Sequence, residues 1–205
     1  MSVARALAAA LSIALLCPAA AHAGAQVYEE LAQSVRTRLS AAIADRSVPE
    51  LAFRDNADGH QWIMEMSRRL EKRIADRKER IDLLRTVHFE AQRAGLDPQL
   101  VLGVIEVESA FRKYAVSRSG ARGYMQVMPF WVKLIGRPGQ NLFHLRVNLR
   151  YGCVILRHYL DVEKGDYFRA LGRYNGSLGK ADYPNMVERA WATIWKYAPR
   201  GAGSS

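Results

Sequence analysis

A mainly α-helical fold is predicted by three observations. Apolar residues recur at helical spacing over most of the 205-residue chain, no strand-like alternation of useful length occurs, and helix-starting and helix-breaking residues flank the apolar stripes. Composition agrees: 49% hydrophobic and 24% charged residues are ordinary globular values, which excludes wholesale disorder. The length predicts one domain with an appendage. Two cysteines cannot build a disulfide framework or a zinc cluster.

The elements are justified in chain order. Met1 to Arg5 is basic, Ala6 to Leu16 carries no charge, and Pro18 precedes the small-residue stretch Ala21-His22-Ala23. These three parts predict a secretory signal peptide, residues 1–23, cleaved after Ala23. The apolar run is shorter than the ~20 residues needed to cross a bilayer, so no stable membrane insertion is expected after cleavage. The expected location is exported, in the periplasm or cell envelope. Leu16 is too large for the position before a lipidated cysteine, which argues against lipidation of Cys17.

Val27, Leu31, Val35, Leu39 and Ile43 recur at i+4 and predict a first helix. Ser47 to Gly59 contains Pro49, Asp55, Asn56 and Asp58-Gly59 and reads as a loop. A second helix is predicted from Trp62, Met66, Leu70 and Ile74 on through Ile81, Leu84 and His88. Its outer face holds seven cations between Arg68 and Arg80. The bland reading is a solvated helix with pairs such as Glu65–Arg69 and Asp76–Arg80. The alternative is a docking face for an acidic polymer or a cell-envelope partner protein.

Ala94-Gly95-Leu96 ends that helix, and Asp97-Pro98 starts the next as N-cap and first residue. Val101, Val104, Ile105, Glu108 and Phe111 then share one face. An acid inside an apolar stripe breaks the binary pattern, as functional residues do. Glu106 lies about 200° round the helix from Glu108, so only one of the two serves a given pocket. Further on, Cys153 reads as a small buried hydrophobe, and Trp191, Ile194 and Trp195 as core on a helix begun by Tyr183-Pro184. Tyr124, Trp131, Tyr151 and Tyr183 read first as core rings, with stacking on a ligand as the alternative. The five histidines form no metal-binding pair, and neither metal nor cofactor is expected.

Four blocks after this helix start carry a resemblance. They are Val104-Ile-Glu-Val-Glu-Ser-Ala-Phe111 with Ala115-Val-Ser117, then Gly120-Ala-Arg-Gly-Tyr-Met-Gln-Val-Met-Pro129, Asn148-Leu-Arg-Tyr-Gly152 and Ala170-Leu-Gly-Arg-Tyr-Asn-Gly176. In this order and at these separations they resemble the catalytic domain of the soluble lytic transglycosylases, a lysozyme-like family that cleaves peptidoglycan. Tyr124 stands where the family usually has Leu, and Tyr-Asn-Gly-Ser where Tyr-Asn-Ala-Gly is commoner; the polar positions are kept. The resemblance implies a lysozyme-like transglycosylase domain over residues 84–198, preceded by an N-terminal helical extension over 24–83 and followed by a tail, 199–205. It assigns Glu108 as the sole catalytic acid and places Ser117 and Ser119 along the cleft. Gln126 and Met128 would border the sugar subsites, and Tyr174 would bring its hydroxyl to the catalytic carboxyl. Ser109 is expected to be structural.

The chemistry agrees with the residue types. Breaking a glycosidic bond needs a carboxylic acid still protonated near neutral pH, and Val104, Ile105 and Phe111 supply the desolvation that keeps it so. A hydrolase would need a second carboxylate. Glu106 faces away, and Asp161, Glu163, Asp166 and Asp182 have no special context. One carboxyl suffices when the substrate supplies the nucleophile. In the family, the C6 hydroxyl of N-acetylmuramic acid attacks its own C1, leaving a 1,6-anhydro end. Thirty Lys and Arg against twenty Asp and Glu give a net charge of +10, which calls for an acidic partner. The export signal excludes nucleic acid and favours peptidoglycan glycan strands with their peptide carboxylates. A hydrolytic muramidase and a non-catalytic wall-binding or assembly protein are the alternatives.

Overall fold

The computed structural model describes residues 26–45 and 57–198; the segment 1–23 expected to be a signal peptide, with Cys17, and the tail 199–205 lie outside them. Among the described residues the helices are α1 (Gln33–Ala44), α2 (Ala57–Leu70), α3 (Arg77–Arg93), α4 (Pro98–Ser109), α5 (Phe130–Ile135), α6 (Leu145–Val162), α7 (Tyr167–Asn175) and α8 (Asp182–Arg189). The last continues into a π-helical turn, Ala190–Ile194. Only isolated β-bridges accompany them, Val116 with Arg122 and Arg122 with Val127, so the mainly α expectation holds.

The N-terminal half departs from the sequence reading in three ways. The first helix starts at Gln33; residues 26–32 have no regular secondary structure, with Val27 exposed, while Leu39 and Ile43 are buried as the stripe requires. Residues Ala57 to Gly59, read as loop, open α2. The predicted long helix is broken between Leu70 and Arg77. Asp76 takes an extended backbone and its carboxylate accepts from the Glu79 amide at 2.7 Å, capping α3. Arg80 turns inward and donates to the Ile74 and Ala75 carbonyls at 2.6 and 2.8 Å. Those carbonyls lie outside both helices, so Arg80 satisfies the break instead of pairing with Asp76.

Of the seven cations on the α2–α3 face, Arg69, Arg73 and Arg80 are tied into the fold, while Arg68, Lys72, Arg77 and Lys78 are exposed. Arg69 does pair with Glu65 at 2.8 Å, but it also donates to the Ile194 and Lys196 carbonyls, and Arg73 pairs with Glu106. Trp62, Met66 and Leu70 join the same buried cluster as α4 and α6, and α3 runs uninterrupted across residues 83 and 84. The boundary drawn there by sequence therefore falls inside a helix.

Helix α4 is the axis of the core: Leu100 to Ile105 are all buried, and it packs on α3, α8 and the π-helical turn. Asp97 caps it by accepting from Gln99 N at 2.7 Å, with Pro98 first in the helix as predicted. The helix stops at Ser109 because Ala110 (φ 48°) and Phe111 (φ 63°) are left-handed. Phe111 thus leaves the predicted stripe, but it stays buried against Trp195, ring centroids 5.3 Å apart. Left-handed geometry costs roughly 1–3 kcal/mol for a non-glycine residue, so packing must hold this bend. Trp195 is core as expected, whereas Ile194 is exposed.

The bend returns the chain over α4 as the bridged loop 115–127. Asn148, fully buried in α6, holds it down: Oδ1 accepts from Met125 N at 2.8 Å, and Nδ2 donates to the Arg122 and Leu142 carbonyls at 2.8 and 2.9 Å. Gly123 sits beneath that amide with φ 76°, where a Cβ would come within 2.7 Å of the Leu142 carbonyl. Asn148→Ala should therefore cost roughly 3 kcal/mol, since three buried backbone groups lose their partner. The midpoint of urea denaturation reads this directly, and a loss under ~1 kcal/mol would contradict the clamp.

Candidate active site

Glu108 occupies the last turn of α4 and is 5% exposed. Burial among apolar neighbours raises its pKa from the ordinary 4.5 to about 8; the Tyr183 hydroxyl and then the Asn175 side chain act weakly the other way. At neutral pH the carboxyl is consequently protonated. Tyr183 Oη donates to Oε1 at 2.7 Å. Its own pKa is pushed well above the ordinary value, by burial first and by Glu108 second, so this phenol keeps its proton. Asn175, at the end of α7, is the second polar side chain on this carboxyl, and its hydrogen bonding favours the anion as that of Tyr183 does.

Glu106 points away from this group, with an oxygen 2.7 Å from Arg73 Nη2. The expected antiphase of the two glutamates is thus realised by an ion pair on one side and an apolar pocket on the other.

The tyrosine on the acid is not Tyr174. That side chain is fully buried and its hydroxyl donates to the Met125 carbonyl at 2.7 Å, tying α7 to the loop over α4. Tyr183, which sequence reading treated as core or sugar-stacking, meets Glu108 instead. The reason is tertiary: α8 crosses α4, and its first turn delivers Tyr183 to the end of α4. No local signal separates the two tyrosines.

The other expected site residues are spread along the returning loop. Ser117 is half-buried and its Oγ accepts from Ala121 N at 3.0 Å; Ser119 is exposed. Gln126 is buried with φ 47°, and its amide donates to the Ala115 and Gly123 carbonyls, which shapes the loop from within. Met128 is half-buried, and its backbone N–H donates to Gln26 Oε1 at 3.2 Å. Ser109 is structural, with Oγ donating to the Tyr124 carbonyl at 2.8 Å. Tyr124, Trp131 and Tyr151 are buried and serve the core, not a sugar-stacking surface.

Open cavities of about 850 and 810 Å³ lie elsewhere, one between α2 and Lys196–Ala198, the other among α1, α5 and α6. Neither borders Glu108.

The sequence pattern of the transglycosylase SLT domain matches residues 85–190. The transglycosylase of Enterobacteria phage PRD1 is 35% identical over 98 residues, 48% of this chain and 36% of that protein. Membrane-bound lytic murein transglycosylase C of Mannheimia succiniciproducens is 42% identical over 97 residues, 43% of this chain and 26% of that protein. The chain therefore spans about a third or less of the relatives it matches. Among solved structures, an inactive mutant of the lytic transglycosylase Slt from Pseudomonas aeruginosa aligns with 85% of this chain and 34% of its own, at 21% identity and a TM-score of 0.42.

Proposed function

The chain belongs to the transglycosylase SLT domain family, and from that membership we propose that it is an exported lytic transglycosylase acting on peptidoglycan, with Glu108 as its only catalytic carboxyl. The observation that carries the reading is a buried acid held protonated to about pH 8 and hydrogen-bonded by Tyr183. The sequence around it offers no second carboxylate: from Ala110 to Leu160 the chain carries nine Lys and Arg and no Asp or Glu.

Glu108 gives its proton to the glycosidic oxygen as the bond between N-acetylmuramic acid C1 and that oxygen breaks. The carboxylate so formed then takes the proton of the C6 hydroxyl while O6 bonds to C1. The proton returns to Glu108, no water is consumed, and a 1,6-anhydro end is left. Tyr183 and Asn175 orient the carboxyl. Ser117, Ser119, Gln126 and Met128 shape the groove along the strand. The acid-free stretch suits the carboxylates of the peptide stems. Export with cleavage after Ala23 brings the enzyme to that substrate. Arg69, Arg73 and Arg80 are committed within the fold, which leaves the rival docking protein fewer cations for a partner. Digestion of purified sacculi followed by mass spectrometry tests the proposal. Anhydro ends support it, ends heavier by one water favour a muramidase, and intact binding without fragments favours a wall-binding protein.

Tyr183→Phe should lower kcat about tenfold, the worth of one positioning hydrogen bond. The pH profile gives an independent readout. The reaction needs the protonated acid, so wild-type activity falls as pH rises through about 8. The Tyr183 hydrogen bond lowers the Glu108 pKa, so its loss should move that alkaline limb upward. A limb that stays in place or moves down would remove Tyr183 from the site.

A further inference from the structure

The stretch that leaves α4, from Ala110 to Arg122, carries charge and apolar surface that the fold does not use. Tyr114 is 69% exposed, the largest value for any large hydrophobic side chain among the described residues, and Val116 is 60% exposed. The Tyr114 ring meets half-buried Phe143 with centroids 5.9 Å apart and planes tilted by 53°. A cation lies over each ring: Lys113 Nζ is 5.3 Å from Tyr114, and the Arg122 guanidinium is 5.9 Å from Phe143. Arg112 adds a third cation, in a shallow depression of about 450 Å³ that also borders Lys113, Tyr114 and Val116. Its Nε donates to the carbonyl of Ser109 at 3.0 Å, so the patch begins at the residue that follows Glu108.

Most of this charge is uncompensated. Arg112 and Arg122 make no ion pair among the described residues, whereas Arg68 and Lys78 on the α2–α3 face are paired with Glu65 and Asp82. Lys113 also borders a recess holding Asp76, Glu79 and Asp82, which offset part of its charge. The scaffold is fixed, since Val116 bridges to Arg122 and the Arg122 carbonyl accepts from Asn148 Nδ2 at 2.8 Å. A surface held ready in this way needs little ordering on binding. Tilted rings, each with a cation over one face, make a poor flat platform for a sugar. What they offer is a notch of ring edges and Val116 between two open guanidiniums, which fits small apolar side chains set between carboxylates.

We infer that Arg112, Tyr114, Val116, Arg122 and Phe143 form a docking surface for the acidic stem peptide of the glycan strand, a contact to the peptide and not to the sugars. The inference rests on the transglycosylase reading, because that reading supplies a strand bearing such peptides. The chain then prefers peptide-bearing strands to bare glycan.

The test uses the full-length chain with Glu108→Gln and measures its Kd for intact sacculi and for sacculi stripped of peptides by an amidase. Intact sacculi should bind about tenfold more tightly, the summed worth of a few exposed charge contacts, and the ratio should shrink as salt is raised. Adding Tyr114→Ala, or Arg112→Gln together with Arg122→Gln, should lower that ratio to about threefold or less and leave the Kd for stripped sacculi unchanged. A ratio near one before these changes would overturn the inference. Equal weakening on both substrates would overturn it too, by making the patch a support for sugar binding or for the fold. Tighter binding to phosphatidylglycerol vesicles than to sacculi would overturn it by making the patch a membrane contact. If the chain with Glu108 intact releases no anhydro ends from either substrate, the transglycosylase reading has failed, and the Kd ratio still decides the docking surface.

Discussion

Replacing Glu108 with Gln lowers kcat by roughly 10²- to 10⁴-fold, the usual worth of a positioned general acid, and at the same time makes the protein more stable. The second half of this expectation follows from linkage. The folded-state pKa, about 8, stands above the unfolded 4.5. The native state therefore holds a proton that the unfolded chain releases between those values. Stability from this group is fully present below pH 4.5 and is lost as pH rises towards 8. At pH 7 keeping the carboxyl neutral costs about 3 kcal/mol, which glutamine does not incur. Turnover of purified sacculi and urea denaturation at pH 4.5 and 7 check both parts. The stability gain should be largest at pH 7 and fade towards 4.5. Near wild-type turnover would end the assignment of Glu108, and a gain that does not vary with pH would end the account of its protonation.

Glu90→Ala is the second large effect, on stability and not on chemistry. The Glu90 side chain is wholly buried, and its carboxylate accepts from Arg150 Nε and Nη2 and from Arg93, joining α3 to α6. Removing it strands the Arg150 guanidinium, itself buried, and should cost about 3–5 kcal/mol. The melting temperature should fall by roughly 10 °C. The double variant Glu90→Leu with Arg150→Met should recover most of the loss, because an apolar pair of similar size carries no desolvation debt. Calorimetry of the two variants decides the matter. A double variant as unstable as the single one would mean that the ion pair itself, not a stranded charge, supports the fold.

The burial of Glu108 was legible in the sequence because it is an acid in a run of valine and isoleucine. The start of α4 was legible for the same local reason, since Asp97 and Pro98 act within one turn. Failures occurred where distance along the chain decides. The apolar spacing runs on from Leu70 and Ile74 to Ile81 as if one helix continued. The break was nevertheless written in Asp76 and Glu79, a capping pair that periodicity outvoted. Phe111 continues the spacing of α4, but two left-handed residues turn it away. Tyr174 and Tyr183 are both buried phenols near helix ends, and only the crossing of α8 over α4 selects the one that reaches the acid.

The contact between Phe111 and Trp195 bears on how this chain can be dissected. Trp195 lies beyond residue 190, where the family match ends, and Trp62 and Met66 lie before residue 85, where it begins. A fragment trimmed to those borders would lose the ring that props the turn behind Glu108 and much of the floor under α3. The smallest unit able to fold alone is accordingly larger than its hereditary signature.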